Sequence, residues 1–130
     1  MDKKTFYFNG KLLNLKELNF KLKHDFSQVQ VFLNNFLSEN PFFETYTSGS
    51  TGSPKSIQLK KSDMIASAKM TMDYLKIPKK AKTLMCLPSD KIGGIMVLVR
   101  WLVGDLDLYI SKPKSNPLKE WDIQFDFCSM

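Results

Sequence analysis

Nine consecutive residues, Thr47-Ser48-Gly49-Ser50-Thr51-Gly52-Ser53-Pro54-Lys55, constrain this chain more than any other stretch. Glycine reaches positive φ without a Cβ clash and lets the backbone come close to a ligand, so successive N–H groups converge on one anion. Hydroxyls donate to phosphate oxygens, and Lys55 adds a point charge. The same composition also suits a Ser/Gly linker. The flanks argue against the linker: Phe42-Phe43-Glu44-Thr45-Tyr46 leads in and Ile57-Gln58-Leu59 leads out, so strand-like runs frame the loop. It is not a Walker A loop, which needs glycine directly before the lysine where this chain has Pro54.

The rest of the chain reads as alternating strands and helices. Thr5 to Phe8, then Asn9-Gly10, then Lys11 to Leu15 predicts a hairpin, because Asn-Gly is the preferred two-residue turn. Asp25 or Ser27 is placed to cap a helix reaching about Ser38, with Phe26, Val29, Leu33, Phe36 and Leu37 as its core stripe and Pro41 ending it. Ser62 is the expected N-cap of the next helix, which carries Ile65, Ala68, Met72 and Leu75 and stops at Lys76-Ile77-Pro78. The continuous apolar run Thr83-Leu84-Met85-Cys86-Leu87 has the pattern of a strand buried on both faces, and Pro88 to Lys91 turns the corner. A helix from Ile92 to Val103, ended by Gly104, and a strand from Leu106 to Ile110 complete a βαβ crossover. A loop marked by Pro113 and Pro117, a helical turn near Leu118 and a last strand around Phe125-Asp126-Phe127-Cys128 follow. The expected class is α/β, a mostly parallel sheet with flanking helices and an N-terminal hairpin.

At 130 residues and 43% apolar content the chain suits one domain with a core. Its net charge of +6 rests on lysines and a single arginine, Arg100. The densest basic run, residues 76–82, surrounds a proline and comes with no paired-aromatic nucleic-acid motif, so nucleic acid is not an expected partner. Cys86 and Cys128 lack Cys-x-x-Cys spacing and read as reduced thiols, and His24 has no ligand partner at metal spacing, so no metal site is expected on the protein itself. The longest apolar segment, residues 92–103, is too short to cross a bilayer and contains Arg100. With no secretory signal pattern, the cytoplasm is the expected compartment, and no membrane partner is expected.

The loop resembles the signature of the adenylate-forming acyl-CoA synthetases, the AMP-binding superfamily, whose pattern Thr/Ser-Ser-Gly-Ser/Thr-Thr-Gly-x-Pro-Lys is met at every defined position from Thr47 to Lys55. A second segment, Leu87-Pro88-Ser89-Asp90-Lys91-Ile92-Gly93-Gly94, is similar to the next motif of that family, Leu-Pro-x-x-His-x-x-Gly, with Lys91 where histidine or an aromatic residue is usual. The continuation from Ile92 to Arg100 is most similar to the o-succinylbenzoate-CoA ligases of menaquinone synthesis. The resemblance implies a two-step reaction: carboxylate plus ATP, with Mg²⁺, gives an acyl-adenylate and pyrophosphate, and coenzyme A then displaces AMP. It implies that Thr47, Ser48, Gly49, Ser50, Thr51, Gly52 and Lys55 hold the ATP phosphates, and that Lys91, Gly93, Gly94 and Arg100 border the acyl pocket. Gly93 and Gly94 are read first as packing residues. Arg100 is read first as an internal ion pair with Asp90, Asp105 or Asp107, or as a surface arginine.

The family's adenine-binding, ribose-binding and C-terminal lysine elements have no counterpart here, so the expectation is the N-terminal portion of an AMP-binding domain, inactive alone and without catalytic residues of its own. A strand at the terminus with no stop signal points the same way and predicts self-association through an unpaired edge. Alternative readings are a stand-alone, non-catalytic anion-binding or interaction module, and a CoA ligase for another fatty or aryl acid.

Overall fold

The structure, a computed structural model, describes residues 3–47, 55–85, 92–110 and 127–129. Strands β1 (Thr5–Phe8) and β2 (Lys11–Asn14) pair antiparallel, with Thr5 opposite Asn14 and Phe8 opposite Lys11. Asn9 and Gly10 between them have φ of 52° and 79°, the two left-handed residues that a tight hairpin turn requires. The expected strand end at Leu15 is one residue too long, because Asn14 caps a helix that starts there.

That helix, α1 (Leu15–Asp25), was not foreseen, although its signal is local. The Glu17 N–H donates to Asn14 Oδ1 at 2.8 Å and the Asn14 N–H donates to Glu17 Oε1 at 3.1 Å. This reciprocal capping box satisfies two donors that a helix start otherwise leaves orphaned. Leu18 and Leu22, four apart, are fully buried. Helix α2 (Ser27–Leu37) follows at once, so neither expected cap serves: Asp25 ends α1, Ser27 is already helical, and Phe26 holds the cap position without a side-chain bond. Its buried residues are Val29, Phe32, Leu33 and Phe36. The helix ends at Leu37, ahead of Pro41, where the Ser38 hydroxyl donates to the Asn35 carbonyl at 2.7 Å.

Strands β3 (Phe42–Thr47) and β4 (Lys55–Lys60) make a separate two-stranded antiparallel sheet. Helix α3 (Lys61–Leu75) begins one residue before the expected cap Ser62, with Lys60 in the cap position and Asp63 in the first turn. It closes on Lys76 in the left-handed region at φ 53°, before Pro78 intervenes.

The main sheet adds β5 (Lys82–Met85), β6 (Asp107–Ile110) and β7 (Phe127–Ser129) in the order β2-β1-β6-β5-β7. Every pairing except the hairpin is parallel. The α/β class and the mostly parallel sheet are therefore as the patterning predicts. Helix α4 (Ile92–Gly104) joins β5 to β6 as the crossover, and Thr83, Leu84 and Met85 are buried, as a strand covered on both faces must be.

Gly104 is not the left-handed residue expected of it. The helix continues through it, and Asp105 takes the turn at φ 53°. The glycine instead allows close approach of α3, since a Cβ there would overlap the Met72 methyl. Trp101, fully buried, ties α4 to β1 by donating Nε1–H to the Tyr7 carbonyl at 2.8 Å, with its ring 5.9 Å from that of Phe6. The expected corner at residues 88–91, the proline-marked loop, the turn near Leu118 and Cys86 lie outside the described residues.

Candidate functional site

The β3–β4 register decides how the hydroxyl-rich loop is held. Phe42 pairs with Lys60, Thr45 with Ile57, and Thr47 with Lys55, without a bulge. Residues directly opposite in such a pair have Cα atoms about 4.5–5.5 Å apart. Thr47 and Lys55, the first and last residues of the motif, thus face each other as the closing pair of the hairpin. Ser48, Gly49, Ser50, Thr51 and Gly52 lie outside the described residues. An alternating pattern holds the hairpin to the body: Phe43 and Thr45 are buried while Phe42, Glu44 and Tyr46 are exposed. Phe43 packs edge-on to Phe32 at 5.4 Å and lies 6.2 Å from Phe36, both on α2.

The Glu44 carboxylate accepts from the Ser56 hydroxyl at 2.7 Å and from the Tyr46 hydroxyl at 3.2 Å. Both bonds brace the exposed face of the hairpin just below its loop. By residue type the hydroxyls and the ammonium of the motif are donors of the kind that meet phosphate oxygens, and the ladder pairs its first and last residues. It offers no carboxylate within the loop itself to hold a metal directly.

Beside the hairpin lies a cleft of about 340 Å³ between α2, β3 and the start of α4, lined among others by Gln28, Val31, Asn35, Phe43, Tyr46 and Ile95. Tyr46 precedes the loop motif by one residue, and Ile95 follows Gly94 of the second motif. Residues adjoining the two motifs, far apart in sequence, therefore border one cavity. Gln28, Val31 and Asn35 were missed as candidates because α2 reads as a core helix; the available signal was Val31, an apolar residue off the buried stripe and 59% exposed.

Gly93 and Gly94 occupy the first turn of α4, and Lys91 lies outside the described residues. Arg100 is half-buried, and burial holds its guanidinium below the usual arginine range. At about 100° per residue it stands roughly 140° around the helix from Ile95, on a different face from the one that meets the cleft. Arg100 has an interaction within the protein, and two of its suggested partners also have other partners. Asp105 pairs with Lys3, and Asp107 accepts the Gly10 N–H at 2.9 Å and the Tyr109 hydroxyl.

No protein-family model matches the sequence, and no curated protein matches it. Solved structures do. An acyl-CoA synthetase (AMP-forming)/AMP-acid ligase II-like protein from Dyadobacter fermentans is 38% identical, with a TM-score of 0.73 over 79% of this chain and 30% of its own. The o-succinylbenzoate CoA synthetase of Bacillus subtilis, solved with a product analogue, is 28% identical, with a TM-score of 0.50 over 55% of this chain and 15% of its own. The inhibitor-bound N-terminal domain of FACL13 from Mycobacterium tuberculosis, 24% identical with a TM-score of 0.50 over 61% of this chain and 20% of its own, shares the fold. This chain thus spans about a third or less of the structures it matches. Together with the α/β architecture, these likenesses support the superfamily of AMP-forming acyl-CoA synthetases for this chain.

Proposed function

We propose that this chain is the phosphate-gripping N-terminal portion of an ATP-dependent acid-CoA ligase, and that the acid is o-succinylbenzoate. The observation that carries the reading is the Thr47–Lys55 closing pair: an unbulged ladder presents a loop of hydroxyls, glycines and one lysine from a fixed base. ATP would supply the adenylyl group to the carboxylate, with pyrophosphate as the leaving group, and Mg²⁺ and coenzyme A are the other participants. The chain's own contribution is orientation. Loop amides and the hydroxyls of Thr47, Ser48, Ser50 and Thr51 hold phosphate oxygens, Gly49 and Gly52 let the backbone close on them, and Lys55 neutralises charge. The acyl group is assigned to the side of the cleft where Lys91, Gly93 and Gly94 begin α4; Arg100, on another face of that helix and outside the cleft lining, is proposed to meet a second substrate carboxylate from beyond the cleft.

The choice of o-succinylbenzoate draws support from the residue 92–100 pattern and from the likeness to the Bacillus subtilis enzyme. Another fatty or aryl acid is the competing substrate. The chain is read as a single incomplete domain, cytoplasmic and without a nucleic-acid partner; among the described residues no helix is long and apolar enough to cross a membrane. Self-association is proposed through β7, whose only ladder among the described residues is to β5.

Calorimetric titration with magnesium pyrophosphate tests the reading. Binding that weakens about tenfold or more in Lys55→Ala and in Ser50→Ala is expected, an energetic loss of about 1.4 kcal/mol. Unchanged binding in both variants, or none in the parent, refutes the phosphate loop. ATP–pyrophosphate exchange is expected to be absent from this chain, and exchange at the rate of a whole ligase would overturn its reading as a portion.

A further inference from the structure

The two strands that carry the loop share no ladder with the five-stranded sheet among the described residues, and a lone two-stranded hairpin is marginally stable in water. Its direction therefore depends on what its inner face and its base are fastened to. The inner face rests on Phe32 and Phe36 through Phe43. The base is Lys61, the residue directly after β4.

Lys61 is 8% exposed, an unusual place for an ammonium group. Its Nζ donates to the Asn35 carbonyl at 2.8 Å, to the Ser38 carbonyl at 3.1 Å and to the Ser38 hydroxyl at 3.1 Å. It also lies 5.9 Å from the centre of the Phe36 ring. Its backbone N–H donates to the Pro41 carbonyl at 2.9 Å, closing the foot of the hairpin. Three ammonium protons thus meet three neutral acceptors at the C-terminal end of α2, where helix carbonyls lack their i+4 partners and the dipole favours a cation. Burial lowers the ammonium pKa from its ordinary value. An apolar side chain would fill the same space without that desolvation. The lysine does what an apolar residue does not, which is to fix one geometry between α2 and β4.

We propose that Lys61 is the positioning residue of the anion-binding hairpin: it pins the end of β4 to the last turn of α2 and so sets the direction in which Thr47 and Lys55 present their loop. The functional half of this inference rests on the loop being a phosphate binder. Asn35 and Phe43, which the clamp holds in register, also line both clefts flanking β3, of about 340 and 210 Å³. Loss of the clamp is therefore felt on both sides of the strand.

The test compares the full chain with Lys61→Met, which keeps length and loses all three donors, and Lys61→Arg, which restores donors to the same carbonyls. Hydrogen exchange is followed in segments covering β3 and β4, and magnesium pyrophosphate binding by calorimetry. In Lys61→Met, exchange is expected to rise about tenfold in β3 and β4 while β5 and β6 keep their protection, and pyrophosphate affinity is expected to fall about tenfold. Lys61→Arg is expected to recover most of both. Unchanged hairpin exchange, or an equal rise throughout the protein with no recovery in the arginine variant, overturns the proposal. Should Lys61→Met not fold, Lys61→Gln, which keeps a single donating group, is read against the same two outcomes. A parent chain that binds no pyrophosphate refutes the phosphate reading, while the exchange comparison still decides what Lys61 does.

Discussion

Trp101→Phe is the substitution whose cost follows most directly from the geometry. The indole is completely buried, and its one polar atom donates to the Tyr7 carbonyl at 2.8 Å, across 94 residues of sequence. Phenylalanine keeps an aromatic ring against Phe6 but removes the donor and part of the volume. Losing this part-buried bond costs about 1–3 kcal/mol. A residual void of roughly 40 Å³, at about 24 cal/mol per Å³, adds about 1 kcal/mol. The sum, about 2–4 kcal/mol, corresponds to a Tm lower by about 10 °C in a domain of this size. Thermal and urea unfolding followed by far-UV circular dichroism measures it without relying on the lost chromophore. A Tm within about 3 °C of the parent would mean that α4 is not held to β1 through this indole, and the stated energetics would be wrong.

Three further outcomes follow from particular residues. Gly10→Ala is expected to destabilise by about 1–2 kcal/mol, because φ is +79° and a Cβ there would lie 3.3 Å from the Tyr109 hydroxyl; urea titration checks it. Burial first, then the charge of Asp107 and the hydrogen bond to it, raise the Tyr109 pKa above 10.0. The folded state then keeps a proton that the unfolded state releases, so this contribution is complete below the unfolded value and is lost as pH rises through the folded one. Tyr109→Phe is accordingly expected to lose less stability than the parent as pH rises past 10.0, and identical alkaline limbs would sink the assignment. Lys61, whose pKa burial lowers, shifts the pH dependence in the opposite sense but is common to both proteins. In a complete ligase, Arg100→Met is expected to raise the KM for the acyl substrate about tenfold or more and to spare that for ATP; equal damage to both, or to neither, rejects the carboxylate-pairing role.

Much of the site's chemistry was legible because it is local. The proposal of an anion loop from Thr47 to Lys55 rests on residue type alone, whereas its apolar flanks predict strands on either side, and β3 and β4 are those strands. Asn9-Gly10 similarly names its own turn through two positive φ angles. Errors arose where two local signals competed or where a residue's role depended on a distant partner. Ser27 and Ser62 are good capping residues, yet α2 and α3 start around them, because α1 runs almost directly into α2 and β4 passes directly into α3. Gly104 carries the usual mark of a helix end, but its lack of a side chain serves Met72 on another helix. The Asn14 and Glu17 box was visible in the sequence and went unread in favour of extending a strand.

The order of strands and helices, the hairpin turn and the donor groups of the loop are properties of short segments, set by backbone sterics, apolar spacing and side-chain chemistry over a few residues. Packing alone sets the loop-bearing strands apart as their own sheet, buries Lys61 under the end of α2, brings Tyr46 and Ile95 to one cleft and turns Arg100 to another face of α4. These arrangements depend on contacts between residues tens of positions apart, whose energies arise only once the elements meet.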